Sequence, residues 1–128
     1  MKSGAKRKTL MQITMLKSKI HRATITEVSL HYEGSITLPR RLVEMAGMHE
    51  YEKVLVANVA NGNRFETYII LGEEGEVCLN GAAAHLGKPG DKVIIMTWTA
   101  IPEEEYRGFK PTVVLVDDAN QPKTSPSH

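Results

Sequence analysis

Apolar and polar residues alternate in short runs along this chain, and glycine, proline and asparagine break the runs apart. That rhythm predicts β-strands with few, short helices. Residues 15–25 and 28–32 mix apolar and β-branched side chains and read as strands, and Ser35-Ile36-Thr37-Leu38 reads as a short extended piece. Pro39 suits the first turn of a helix through Arg40, Arg41, Leu42, Val43 and Met45, with Gly47 as its stop. Residues 53–59 form the next expected strand, Asn61-Gly62 signals a hairpin, and residues 64–71 follow as the partner strand. A polar loop over 72–76 leads to the short apolar run Val77-Cys78-Leu79. Residues 81–86 make one helical turn or two before Gly87. Lys88-Pro89-Gly90-Asp91 is a turn, 92–100 a long strand, 102–107 a short acidic helix and 112–116 a final strand.

The pattern repeats faintly. Leu42 to Val56 runs short helix, Gly47, polar turn and Glu52-Lys53-Val54-Leu55-Val56; Ala83 to Ile95 runs short helix, Gly87, polar turn and Asp91-Lys92-Val93-Ile94-Ile95. An offset of about 39 residues between the two units suggests a pseudo-twofold β-barrel. Short strands throughout favour a closed barrel, which leaves no edge exposed.

At 41% hydrophobic residues, the 128-residue chain can bury one core without metal or disulfide staples. The expected domain is 15–118, with residues 1–14 a disordered extension lacking a secretory apolar core and the Pro/Ser-rich 119–128 a disordered tail. The single cysteine, Cys78, forms no intramolecular disulfide and suits a reducing, cytoplasmic setting; its apolar neighbours mark a buried thiol rather than a nucleophile. A net charge of +1 favours neither nucleic acid nor an anionic membrane, and no run nears the ~20 apolar residues of a membrane span. His49 and His85 lack metal-ligand spacing, so no metal is expected. Trp98 reads as core or interface.

Candidate chemistry centres on Gly34-Ser35. A serine hydroxyl can attack the carbonyl of the preceding residue, and glycine leaves that carbonyl open to approach. The pair alone says little, since about half of chains this long would carry one by chance. Taken singly, Ser35 is a turn serine, Tyr68 a strand tyrosine, Arg64 a solvated arginine and Gly81–Ala84 small-residue packing. Along the strand 64–71, Arg64, Glu66 and Tyr68 share one face while Thr67 points to the other. A bulge, or a pocket shared between subunits, is needed for both Thr67 and Tyr68 to serve one site.

Four segments carry residues that folding alone does not require: Lys19-Ile20-His21-Arg22, His31-Tyr32-Glu33-Gly34-Ser35, Asn61-Gly62-Asn63-Arg64-Phe65-Glu66-Thr67-Tyr68 and Asn80-Gly81-Ala82-Ala83-Ala84-His85. In type, order and spacing they resemble the pyruvoyl-dependent aspartate 1-decarboxylases, over residues 15–116. The resemblance implies a mainly β fold, a double-ψ β-barrel with short helices, assembled as a homotetramer with sites between subunits. It implies self-cleavage at Gly34-Ser35, leaving Ser35 as a covalent pyruvoyl cofactor that holds L-aspartate as a Schiff base for decarboxylation to β-alanine and CO2, a precursor of pantothenate and coenzyme A. It implies Thr67 as oxyanion support during cleavage and substrate contact afterwards, and Tyr68 as the proton donor. Gly81, Ala82 and Ala83 match substrate-contacting positions, and Arg64 suits a substrate carboxylate. Lys19, His21 and Tyr32 match positions lining the pocket, and Ala57 stands where some members carry an aromatic residue. The need for an accessory maturation factor stays open.

A second resemblance competes. Gly34-Ser35-Ile36-Thr37-Leu38-Pro39 with the following helix and Glu52-Lys53-Val54 is similar to the swapped-hairpin repeats of AbrB-type DNA-binding regulators. Those repeats carry arginine where this chain has Ser35, and the +1 net charge supplies little attraction for phosphate.

Overall fold

The computed structural model describes residues 11–123. Eight strands build one mainly β, barrel-like sheet with few, short helices, as the alternation predicts. In chain order they are β1 (Gln12–Thr24), β2 (Glu27–Ser29), β3 (Ser35–Pro39), β4 (Lys53–Asn58), β5 (Arg64–Gly72), β6 (Cys78–Asn80), β7 (Lys92–Pro102) and β8 (Thr112–Leu115). Their spatial order is β2-β6-β3-β5-β4-β7-β1-β8. The helix α1 (Arg40–Met45) follows β3, and short 3-10 helices span Gly81–Leu86 and Glu103–Gly108. Among the described residues no helix is long and apolar enough to cross a membrane.

Several boundaries differ from expectation. Strand β1 begins at Gln12, pairing Gln12 with Pro102 and Thr14 with Ala100, so the expected disorder of 1–14 fails for 12–14; residues 1–10 lie outside the described residues. The expected tail disorder fails for 119–123 as well. Asn120 is buried, donates to the Thr24 and Gly75 carbonyls, and accepts from the Thr24 backbone N–H; residues 124–128 lie outside the described residues. The strand expected over 28–32 shrinks to Glu27–Ser29, because only those residues find a partner in β6. Trp98 is 45% exposed and so is not a core residue.

The internal echo has a geometric counterpart. β4 and β7 pair antiparallel, and Val56 lies opposite Ile95, its own equivalent in the repeated pattern. An antiparallel pair centred on equivalent residues is what a local twofold axis produces. Both side chains are fully buried, in the same core cluster as Ile20, Ile36, Leu38 and Ile69.

Strand β3 positions the site. It runs parallel to β5 on one side and antiparallel to β6 on the other. All five of its residues are buried, the pattern of a strand covered on both faces. The preceding residue, Gly34, is exposed. The boundary between solvent and core therefore falls on the Gly34–Ser35 peptide bond.

Candidate active site

Ser35 enters β3 completely buried, opposite Asn80 of β6. Its Oγ donates to the carbonyl oxygen of Glu33 at 3.3 Å. That bond folds the hydroxyl back along the chain, over the Gly34 peptide unit. Asn80 Nδ2 donates to Ser35 Oγ at 2.9 Å and to Thr37 Oγ1 at 2.9 Å. Cys78 Sγ in turn donates to Asn80 Oδ1 at 3.1 Å. Ser35, Thr37, Cys78 and Asn80 form a cross-strand group because β3 and β6 pair Ser35 with Asn80 and Thr37 with Cys78.

Gly81 closes this region from the other side. Its φ is 65°, and a Cβ there would sit 2.7 Å from Gly34 Cα and N and 2.8 Å from the Tyr32 carbonyl oxygen. Only glycine permits so close an approach to the backbone at the candidate cleavage bond. Around Gly34, a Cβ would meet nothing within 4 Å other than its chain neighbours Glu33 and Ser35.

A cavity of about 360 Å³ lies beside the bond, lined by Gly34, Phe65, Thr67, Tyr68, Ala82 and Ala83 among others. Strand register explains why they meet. β3 and β5 pair in parallel from Ile36 with Ile69 onward. Gly34 and Ser35 on one side, and Thr67 and Tyr68 on the other, are the residues that lead into that first pair. β4 borders the other edge of β5, with Lys53 opposite Tyr68 and Ala57 opposite Arg64, in unbroken register. No bulge interrupts 64–68, so Thr67 and Tyr68 keep opposite faces and a bulge does not bring them together. Between Arg64 and Tyr68 the β3-side edge of β5 is unpaired, and the cavity opens along it.

The 3-10 helix carrying Ala82 and Ala83 is tied to the β4–β5 hairpin at its last carbonyl. Leu86 O accepts from the side-chain amides of Asn58, Asn61 and Asn63 at 3.1, 3.2 and 3.3 Å. The Asn-Gly-Asn run thus positions one wall of the cavity. Tyr68 is half-buried and packs against Tyr51, with ring centroids 6.4 Å apart and tilted by 48°. Tyr51 is exposed, at φ 71°, and bonds through its N–H to the Ile69 carbonyl oxygen.

Other candidate residues lie elsewhere in the chain. Lys19 and His21 are on β1, opposite Met96 and Ile94 of β7, with three strands between β1 and β3. His21 lines a separate cavity of about 260 Å³ with Arg22, Lys92 and Asp118. Arg64 is exposed at the start of β5 and does not line the Gly34 cavity. Tyr32 borders a neighbouring cavity with Cys78 and Asn80.

Sequence reasoning assigned no role to Asn80, Cys78 or Tyr51. Asn80 was visible as the first residue of the segment Asn80-Gly81-Ala82-Ala83-Ala84-His85 but without a role, and Cys78 only as a buried thiol; nothing in the sequence marks Tyr51. Burial, with the Glu27 and Glu76 carboxylates nearby, pushes the Cys78 thiol up to about 11, so it stays protonated at neutral pH.

A barrel-like sheet with a cavity beside the Gly34–Ser35 bond, whose serine accepts from a buried amide, defines the class: a β-barrel protein with its candidate site at the start of a buried strand. The comparisons with known proteins place it further. A family model described as aspartate decarboxylase matches residues 11–123. The aspartate 1-decarboxylase of Leptospira biflexa is 56% identical over 116 residues, covering 88% of this chain and 98% of the relative. That of Clostridium kluyveri is 56% identical over 112 residues, covering 86% and 88%. That of Caldicellulosiruptor bescii is 56% identical over 113 residues, covering 87% and 88%. The chain belongs to the aspartate decarboxylase family.

Proposed function

We propose that this chain is a proenzyme that cleaves itself between Gly34 and Ser35, and that the product decarboxylates L-aspartate to β-alanine and CO2, supplying pantothenate synthesis. The observation that carries the reading is the Ser35 hydroxyl, buried and folded back onto the Glu33 carbonyl while accepting from Asn80 at 2.9 Å.

The cleavage chemistry follows from these positions. Ser35 Oγ attacks the Gly34 carbonyl carbon, the carbon–nitrogen bond breaks, and the hydroxyl proton passes to the departing nitrogen, leaving an ester. Thr67, which lines the same cavity as Gly34, is the group assigned to the oxygen that becomes negative. Loss of the Ser35 Cα proton then breaks the Cβ–Oγ bond. Gly34 leaves with a free carboxylate, and position 35 becomes dehydroalanine, which water converts to a pyruvoyl group with release of ammonia. The surroundings fit such a group: a buried strand start, the Asn80 amide donor and the Gly81 cradle that a Cβ would fill.

The pyruvoyl group supplies a carbonyl that takes the substrate amine and accepts the electrons freed as CO2 leaves. The chain's own residues do the rest. Tyr68 delivers a proton to the carbon that loses the carboxylate, from the cavity it lines. Ala82 and Ala83 keep one wall low, so that a small substrate can approach. Thr67 and Gly81 contact the substrate, and Arg64 pairs with its carboxylate. Lys19 and His21 are assigned to the pocket as groups from a neighbouring subunit, because within one chain they stand on a distant strand. The working unit is then a homo-oligomer, a tetramer in this reading, acting in the cytoplasm.

The test is product formation. Incubated protein given L-aspartate is expected to release CO2 and β-alanine in equal amounts, and Ser35→Ala to release neither. Turnover by Ser35→Ala at the parent rate would overturn the reading.

A further inference from the structure

We propose that Cys78 is a positioning residue for the self-cleavage step: its thiol fixes which end of the Asn80 carboxamide faces Ser35. The inference rests on the self-cleavage reading above. A carboxamide has one accepting end and one donating end, and a half-turn exchanges them. As it stands, the two hydrogens of Asn80 Nδ2 meet two acceptors, Ser35 Oγ and Thr37 Oγ1. Oδ1 meets the Cys78 thiol at 3.1 Å; the thiol's competing acceptors are the Leu79 carbonyl, at 3.8 Å, and the Glu27 carboxylate.

Turned over, the amide would present its oxygen to two hydroxyls and its NH2 to sulfur, a weak acceptor. The Ser35 proton would then be drawn toward Asn80 and away from Glu33, and the oxygen would lose its donor. That donor matters twice. It holds Oγ as the bond to the Gly34 carbonyl carbon forms and the carbon–nitrogen bond breaks. It then steadies the same oxygen as the Cβ–Oγ bond breaks and Oγ departs within the new Gly34 carboxylate. With its pKa pushed up to about 11, the thiol remains a donor throughout neutral pH.

The experiment follows the splitting rate of freshly made, full-length precursor by intact mass for the parent, Cys78→Ser, Cys78→Ala and Cys78→Val. Serine keeps a donor and is expected to split within about threefold of the parent, whereas alanine slows splitting about tenfold. Valine refills the volume without a donor and is expected to slow splitting as alanine does, which separates a lost hydrogen bond from a lost contact. Melting temperatures are recorded for each variant. Parental rates in Cys78→Ala and Cys78→Val, or equal slowing in Cys78→Ser, overturn the assignment. A parent chain that never splits overturns the self-cleavage reading itself, and this inference with it.

Discussion

Ser35 and Tyr68 each directly precede the first pair between β3 and β5, Ile36 and Ile69, but in contrasting surroundings. Ser35 is fully buried in a strand covered on both faces, and its oxygen has a donor from Asn80 and an acceptor in Glu33. Tyr68 is half-buried beside an unpaired strand edge, and its ring leans on an exposed tyrosine, Tyr51. One setting is complete within a single chain; the other opens toward whatever lies outside it. Under the proposed function, the difference separates two tasks. Cutting one bond once requires a fixed oxygen and no entry route. Turning over a diffusing substrate requires access and further charged groups, which here stand on β1 or at the start of β5.

The largest expected break in this comparison is Ser35→Ala, which removes the attacking oxygen. Neither fragments nor CO2 release should be detectable by gel or assay. Tyr68→Phe should separate the two tasks: cleavage as in the parent, but decarboxylation down by about 10²–10⁴-fold, since a positioned acid is worth that much. Parental turnover in that variant would remove Tyr68 from the proton-donor role.

The glycines give the next effect. Gly81→Ala should cost about 1–2 kcal/mol from left-handed backbone alone, before its Cβ meets Gly34 at 2.7 Å. Gly34→Ala meets open space and should change folding stability by no more than about 0.5 kcal/mol. Chemical denaturation checks both; equal losses would show that the backbone contact at Gly81 is unimportant.

The smallest expected effect is on acid stability. The Glu52 carboxyl is desolvated by burial, which raises its pKa, but bonds from Lys17 and His49 outweigh that and hold it below its ordinary 4.5. A lowered carboxylate stabilises the fold fully above its unfolded value, and that contribution is lost as pH falls through the folded one. Glu52 accepts from the Ile69 N–H through its carbonyl, beside the Tyr51 contact to Tyr68, so acid should loosen the open side first. Melting curves for the parent should fall more steeply below pH 4.5 than those of Glu52→Gln, which cannot titrate.

Much of this was legible in the sequence because it is local. The Pro39 start and Gly47 end of α1, the Asn61-Gly62 hairpin and the alternation of 64–68 each follow from neighbouring residues. The repeated helix-turn-strand pattern was also legible as a pseudo-twofold echo, but that it pairs Val56 with Ile95 was not. What stayed hidden is long-range. The Asn80 bond to Ser35 spans a separation of 45 residues, and the demand for glycine at position 81 comes from backbone that folds against it from Gly34. The extra residues of β1 were missed because Gln12, Ile13 and Thr14 gain strand structure only from β7. The need for glycine at position 81 was not legible, because the backbone that a Cβ there would meet comes from Tyr32 and Gly34.

The most direct measurement is the intact mass of purified protein after prolonged incubation. The account predicts two pieces, residues 1–34 and residues 35–128, the second lacking a free N-terminal amine and carrying in its place a ketone that reacts with hydrazides. A chain that stays whole, or a second piece that begins with an ordinary serine amine, would contradict it.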